Sequence, residues 1–152
     1  YLYPNATMLI LLNRLYQLTG DEAMLERAET VYEGIQPLYI EGTDFYFSPY
    51  SQNSQGAETD DYSTLSSQNY LLLGLLLMHE NTGRQLYLDE AVGLLSNIRV
   101  RLYKEEEGKI VHHWIDGHSA LTTDPDYFCS GCNLQTLYIL WHLKNGLGIE
   151  LL

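Results

Sequence analysis

Residues 60–113 read DDYSTLSSQNYLLLGLLLMHENTGRQLYLDEAVGLLSNIRVRLYKEEEGKIVHH, and this stretch decides the fold. It opens on an acidic loop (Asp60, Asp61, Tyr62), enters a segment apolar on nearly every helical face (Asn69 to Met78), and turns at Thr82-Gly83. A second helical segment follows from Leu88 to Leu102, and then an acidic turn leads to an extended piece, Lys109 to Trp114. In the first helix Leu71, Leu72, Leu73, Leu75, Leu76 and Leu77 cover the whole circumference, so burial on most sides is expected. In the second, Leu88, Ala91, Leu94, Leu95, Ile98 and Leu102 form one stripe, which suits an outer helix lying over the inner one.

The same unit occurs upstream without a gap. An offset of 63 residues relates Gly20 to Gly83, Thr19 to Thr82, Leu25 to Leu88, Ala28 to Ala91, Val31 to Leu94 and Ile35 to Ile98. Asn5 to Leu18 therefore reads as an inner helix buried on most sides, with Asn5 as N-cap and Gly20 ending it. Asp21 and Glu22 start its outer partner, which Pro37 ends. The aromatic run Asp44-Phe45-Tyr46-Phe47 and the piece from Lys109 to Trp114 read as short strands. A third inner helix carries Leu134, Leu137, Tyr138, Leu140, Trp141 and Leu143 and ends near Gly146. The expected fold is all-α: one helical-hairpin repeat domain over residues 1–152, about two and a half hairpins, with short β-hairpin segments.

Composition narrows the function. A net charge of −12, from 20 acidic residues against 8 Lys and Arg, leaves no basic cluster for phosphates and argues against nucleic acid. The longest apolar run, Leu71 to Met78, is far below the ~20 residues of a membrane span, so no membrane partner is expected. The chain opens at Tyr1 without a basic leader, which reads as a piece of a longer protein or a trimmed form, and the compartment cannot be read.

The candidate chemistry lies in the loops that precede inner helices. Two of these share a pattern: Asp61-Tyr62 ahead of Asn69, and Asp126-Tyr127 ahead of Asn133. Such residues either cap buried helices or set a carboxylate at the rim of an aromatic-lined cavity, where desolvation raises its pKa for acid or base work. His112, His113, Trp114, Asp116 and His118 form the densest polar and aromatic cluster. On one continuous strand His112 and His113 point to opposite faces, leaving one for a given cavity and none of the convergence a metal needs. The aromatics Tyr46, Tyr50, Tyr62, Tyr127 and Trp114 suit either stacking on sugar faces or packing over a helix-barrel mouth. Cys129-Ser130-Gly131-Cys132 opens the third inner helix and reads first as a pair of packed thiols. Zinc, with His118 or the loop histidines as partners, and a redox pair stand behind that reading. No cofactor is expected.

An Asp ahead of an apolar inner helix, then Thr82-Gly83, the run Tyr87-Leu88-Asp89-Glu90-Ala91 and the segment Gly108 to Trp114 resemble the six-hairpin (α/α) toroid enzymes. That superfamily includes the unsaturated glucuronyl and rhamnogalacturonyl hydrolases and the N-acylglucosamine 2-epimerases. The resemblance covers almost the whole chain. It implies a carbohydrate ligand at the rim formed by the N-termini of the inner helices, with hydrolysis or epimerisation by acid/base chemistry. In hydrolase terms it implies a catalytic role for Asp61 (or Asp60), and in epimerase terms for His112 or His113. A family His before a Trp falls on His112, with Trp114 as the aromatic; Tyr62, Tyr127 and Asn133, read from the loop pattern, join Trp114 as candidate substrate-binding residues. The chain departs from the hydrolases at Ser130-Gly131-Cys132-Asn133-Leu134, which lacks their Arg and Trp. The alternative is a non-catalytic repeat module whose open inner face is covered by a partner, by a second copy or by the remainder of a longer chain.

Overall fold

The computed structural model describes residues 1–48, 62–115 and 129–148, with backbone alone at residue 62 and at 113–115. Among the described residues five helices carry the fold: α1 (Leu2–Thr19), α2 (Glu22–Ile35), α3 (Leu65–Thr82), α4 (Gln85–Asn97) and α5 (Ser130–Gly146). Two complete hairpins and one further inner helix result, as the repeat requires.

The turns show why the 63-residue offset holds. Gly20 and Gly83 both end their helices in the left-handed region, each at φ 69°, where a glycine carries no Cβ penalty. Their N–H groups donate to Tyr16 O and His79 O at 2.8 Å. Thr19 and Thr82 each donate a side-chain hydroxyl back to the carbonyl four residues earlier, at 2.8 and 2.6 Å. Each also accepts from the backbone N–H two residues on, at 3.2 and 3.3 Å. Asp21 then caps α2 through Ala23 N at 3.0 Å. The Thr-Gly pair thus writes the same reversal twice from local chemistry alone.

Contacts between helices fix their directions. Tyr3 meets Tyr70 edge to face at 4.8 Å near the starts of α1 and α3. Near their ends Asn81 donates to Asn13 Oδ1 at 2.8 Å and accepts from Gln17 at 2.9 Å. Asn69 reaches Cys132 O at 2.9 Å near the start of α5, and Glu80 pairs with His142 towards its end. The three inner helices therefore run parallel. So do the outer ones: Glu29 pairs with Arg84 at 2.6 Å, Tyr32 packs edge-on against Tyr87 at 5.0 Å, and Gln36 donates to Glu90 at 3.4 Å. Parallel inner and outer layers are the geometry of a toroid wall.

The core centres on α3, which buries Leu65, Leu71, Leu72, Leu75, Leu76, Leu77 and Met78 with polar Ser67, Gln68 and Asn69. Each fully buried leucine contributes roughly 1.5–3 kcal/mol. Gly74 allows the close approach of α1, since a Cβ there would stand 2.8 Å from Leu9 Cδ2. The expectation of all-round burial fails for α1 and α5. Leu11 is 50% exposed on α1, and Leu134 and Trp141 are 66% and 60% exposed on α5. The reason is position: α3 has an inner helix on both sides, whereas α1 and α5 each have one. Two helix starts also differ from expectation. Asn5 lies inside α1 with its amide on Tyr1 O, and α3 begins four residues before Asn69, capped by Thr64 through Ser67 N at 3.3 Å.

Three short antiparallel ladders close the loops. β1 (Tyr39–Ile40) pairs with β2 (Phe45–Tyr46). β3 (Tyr62–Thr64) pairs with β6 (His113–Ile115), and β4 (Tyr103–Lys104) with β5 (Lys109–Ile110). Between α4 and β4 the chain widens into a π-type turn over Ile98–Leu102.

Glu90 joins the two outer helices. It accepts from Tyr32 Oη at 2.6 Å, from Tyr46 Oη, and from the Gln36 amide. Burial and then the Glu90 hydrogen bond and charge raise the Tyr32 phenol well above its ordinary value of 10.0, and Tyr46 is raised by burial and by the Glu90 charge. Below pH 10 both phenols are protonated whether the chain is folded or unfolded, and the network is intact. As pH rises past 10 the unfolded chain releases these protons while the folded chain holds them, so stability falls. Urea unfolding as a function of pH should show this alkaline loss, and Glu90→Gln should make it smaller while lowering stability near neutrality by about 1–3 kcal/mol. Gly74→Val should cost about 1–3 kcal/mol by overpacking against Leu9, read as a lower thermal midpoint. An unchanged midpoint would mean that α1 and α3 do not approach this closely.

Candidate functional site

The loops that the sequence singles out lead, in chain order, into the N-terminal ends of α3 and α5. Asp60, Asp61, His118 and Tyr127 lie outside the described residues, but the segments that flank them are held in place. On the α3 side, Ser48 Oγ donates to Ser67 Oγ at 2.7 Å and Thr64 Oγ1 donates to the same oxygen at 2.9 Å. Ser48 and Thr64 are themselves 3.5 Å apart. The two ends of the segment that carries Asp60 and Asp61 therefore start from one buried hydroxyl cluster at the cap of α3.

The β3–β6 ladder brings together two clusters about fifty residues apart in sequence. Tyr62 lies opposite Ile115, Ser63 opposite Trp114, and Thr64 opposite His113. Leu65 N, the first amide of α3, donates to His112 O at 2.7 Å. The backbone that follows Asp61 thus runs directly beside the backbone of His112, His113 and Trp114. Ser63 Oγ, 1% exposed, meets no hydrogen-bond partner among the described residues.

The segment from Lys109 to Trp114 is not one strand, which corrects the alternation argument. Lys109–Ile110 belongs to β5, Val111 continues that pairing by donating its N–H to Leu102 O at 2.9 Å, and the chain changes partner at His112, whose carbonyl accepts from Leu65 N. His113 then starts β6. His112 sits at the break, half-buried, and the opposite-face rule for neighbours on a continuous strand does not apply to it.

Asn133 has local work. Its Nδ2 donates to Ile110 O at 2.8 Å and Cys129 O at 3.0 Å, and its Oδ1 accepts from Ile110 N at 2.9 Å. Gln68 does the same one unit earlier, donating to Tyr46 O at 2.7 Å and accepting from Tyr46 N at 3.2 Å. In both units an amide in the first turns of an inner helix copies a strand's hydrogen bonding and clips the preceding hairpin. Gln68 escapes a sequence reading because an amide's partner is not written in its neighbours. Asn69, matched to Asn133 by the loop pattern, instead ties α3 to α5 through Cys132 O and Thr136 Oγ1.

Cys129 and Cys132 are joined in a disulfide, which corrects their reading as packed thiols. Cys129 is the N-cap of α5, and its sulfur accepts from Cys132 N at 3.2 Å. The imidazole of His112 stands against this pair.

A separate cleft of about 400 Å³ opens between α2 and α4, lined by Tyr32, Tyr39, Tyr46, Asp44, Asp89 and Glu90 among others. Tyr39 Oη donates to Asp44 at 2.7 Å, and that hydrogen bond is the main cause of its raised pKa. Tyr46 of the sequence's aromatic loop set belongs here, bonded to Glu90, rather than with Tyr62 and Trp114.

Comparison with known proteins agrees with this wall of parallel hairpins. The structure of cellobiose 2-epimerase from Bacillus thermoamylovorans superposes with a TM-score of 0.74 at 18% identity, covering 96% of this chain and 39% of that one. The chain therefore spans about two fifths of the length of that enzyme, and the likeness establishes a partial (α/α) toroid fold. No curated protein sequence matches the chain. The glycosyl hydrolase family 76 profile matches residues 3–130, most of its length, and the chain accordingly belongs to glycosyl hydrolase family 76.

Proposed function

We propose that the chain contributes the catalytic rim of a glycoside hydrolase, with Asp61 and its neighbour Asp60 as the reacting carboxylates. The observation that carries this reading is the β3–β6 ladder, because it joins the backbone following Asp61 to the His112–Trp114 segment at the N-terminal end of α3. Cleaving a glycosidic bond takes one carboxyl group to protonate the leaving oxygen and a second to act as base or nucleophile. Asp60 and Asp61 provide two carboxyl groups at the start of one inner helix. His112 and the aromatic rings of Tyr62 and Trp114 are the groups available to orient a sugar, the rings by stacking. Hydrolysis is preferred to epimerisation because the family match is to hydrolases, whereas the epimerase likeness supports the fold alone.

The open faces of α1 and α5 bear on the remaining structure. Leu134, Leu137, Tyr138 and Trp141 leave a contiguous apolar stripe on α5 that water alone does not suit. Further hairpins of a longer toroid are the cover this reading requires, and the coverage of 39% of the epimerase chain is in keeping with it.

The test is substitution in the longest natural form of the protein, assayed by release of reducing ends from a panel of α- and β-linked oligosaccharides. Asp61→Asn and Asp60→Asn should each lower kcat by about 10²–10⁴-fold while leaving sugar binding measurable by calorimetry. Unchanged turnover in both variants would remove the pair from the chemistry. Products isomerised but not cleaved would transfer the role to His112 or His113.

A further inference from the structure

We propose that reduction of the Cys129–Cys132 disulfide opens a zinc site formed by the two cysteine sulfurs and the imidazole of His112. The three ligand atoms lie within 4.8 Å of one another, although His112 is 17 residues from Cys129 in sequence. Around tetrahedral zinc, with Zn–S near 2.3 Å and Zn–N near 2.0 Å, ligand atoms stand roughly 3.3–3.8 Å apart. The difference is within reach of side-chain rotation once the sulfurs are no longer bonded to each other.

The backbone at all three positions is already fixed by groups that do not touch the sulfurs or the ring. Leu65 N holds His112 O at 2.7 Å, Asn133 holds Cys129 O at 3.0 Å, and Asn69 holds Cys132 O at 2.9 Å. Opening the disulfide therefore leaves the ligands pre-organised, which limits the ordering cost of binding an ion. Burial is graded as an ion site needs: Cys132 is 7% exposed, while Cys129 and His112 are half-buried and leave one side accessible.

The ligand set determines the ion. Two thiolates and an imidazole favour zinc and other soft or borderline cations over calcium and magnesium, which prefer oxygen. At the N-terminus of α5 the sulfur of Cys129 already accepts the Cys132 N–H at 3.2 Å. The chemistry balances with a dithiol as reductant. The dithiol passes two electrons and two protons to the Cys129–Cys132 bond and becomes a disulfide itself, and zinc then displaces the two thiol protons as it binds. This inference does not depend on the glycosidase reading, and its test uses no sugar.

The intact protein is treated with a phosphine reductant, freed of it, and titrated with Co²⁺ as a spectroscopic substitute for zinc. One equivalent should bind, with a near-ultraviolet sulfur-to-cobalt charge-transfer band that is absent from the oxidised protein and is abolished by added Zn²⁺. His112→Gln should weaken binding by at least about 10-fold. X-ray absorption on the zinc-loaded wild type needs no variant and should show two sulfur ligands and at least one imidazole nitrogen. Absence of the charge-transfer band after reduction would overturn the proposal. So would an all-oxygen-and-nitrogen shell, or a His112→Gln protein that binds as tightly as the wild type.

Discussion

A helix that is apolar on every face must be covered on every face, and α3 is that helix. Its buried leucines cannot be satisfied by one partner, so α1 lies along one side, α5 along the other and α4 behind. The glycine at position 74 brings α1 into contact range, and that approach sets the spacing of the inner layer. Because the inner helices are parallel, each must be followed by an outer helix that returns the chain to the starting end. The need to cover α3 thus produces both the hairpins and the gathering of loops at one end.

Polar groups do a second job at the same end, and they do it by imitation. Gln68 and Asn133 each offer a carbonyl and an amide in the spacing of a strand, and so hold Tyr46 and Ile110 as a neighbouring strand would. A two-residue ladder such as β1–β2 or β4–β5 is too short to be stable alone. The amide clip adds a third edge that belongs to the next inner helix, which makes each hairpin's closure depend on its successor. The chain order of the repeats is therefore built into their hydrogen bonding as well as into their apolar faces.

What the sequence makes legible follows from how far away the cause of each feature lies. The reversals at Thr19-Gly20 and Thr82-Gly83 are readable because their hydrogen bonds close within five residues, and the 63-residue register follows from them. The burial of α3 is readable because its leucines surround the helix whatever their neighbours are. The exposed stripe on α5 is not, because Leu134 and Trp141 look like core residues, and only the packing of α5 against α3 shows which of its faces is covered among the described residues. The change of partner between Val111, which still pairs with Leu102, and His112, which pairs with Leu65, depends on β3 about fifty residues upstream, so alternation along 109–114 misled. Asn133 is an amide at a loop–helix junction, and nothing local distinguishes a clip from a sugar contact. The pair Cys129 and Cys132 has a spacing compatible with thiols, a disulfide or a metal, and only the three-dimensional arrangement of His112 and the two sulfurs separates these states. For Asp60 and Asp61 the sequence supplies the residue type and the location ahead of α3, while the flanking hydroxyl cluster of Ser48, Thr64 and Ser67 adds the anchoring.

The disulfide and the β3–β6 ladder meet at His112, and this has a mechanical consequence. His112 O receives the first amide of α3, while its ring stands against the sulfurs that begin α5. One residue therefore links the starts of two adjacent inner helices, the backbone serving one and the side chain the other. The ring is attached to the backbone that β6 continues beside Tyr62. Only three residues of β3 separate Asp61 from the start of α3. The sulfurs, the start of α3 and the backbone following Asp61 are thus joined through covalent bonds and short hydrogen bonds.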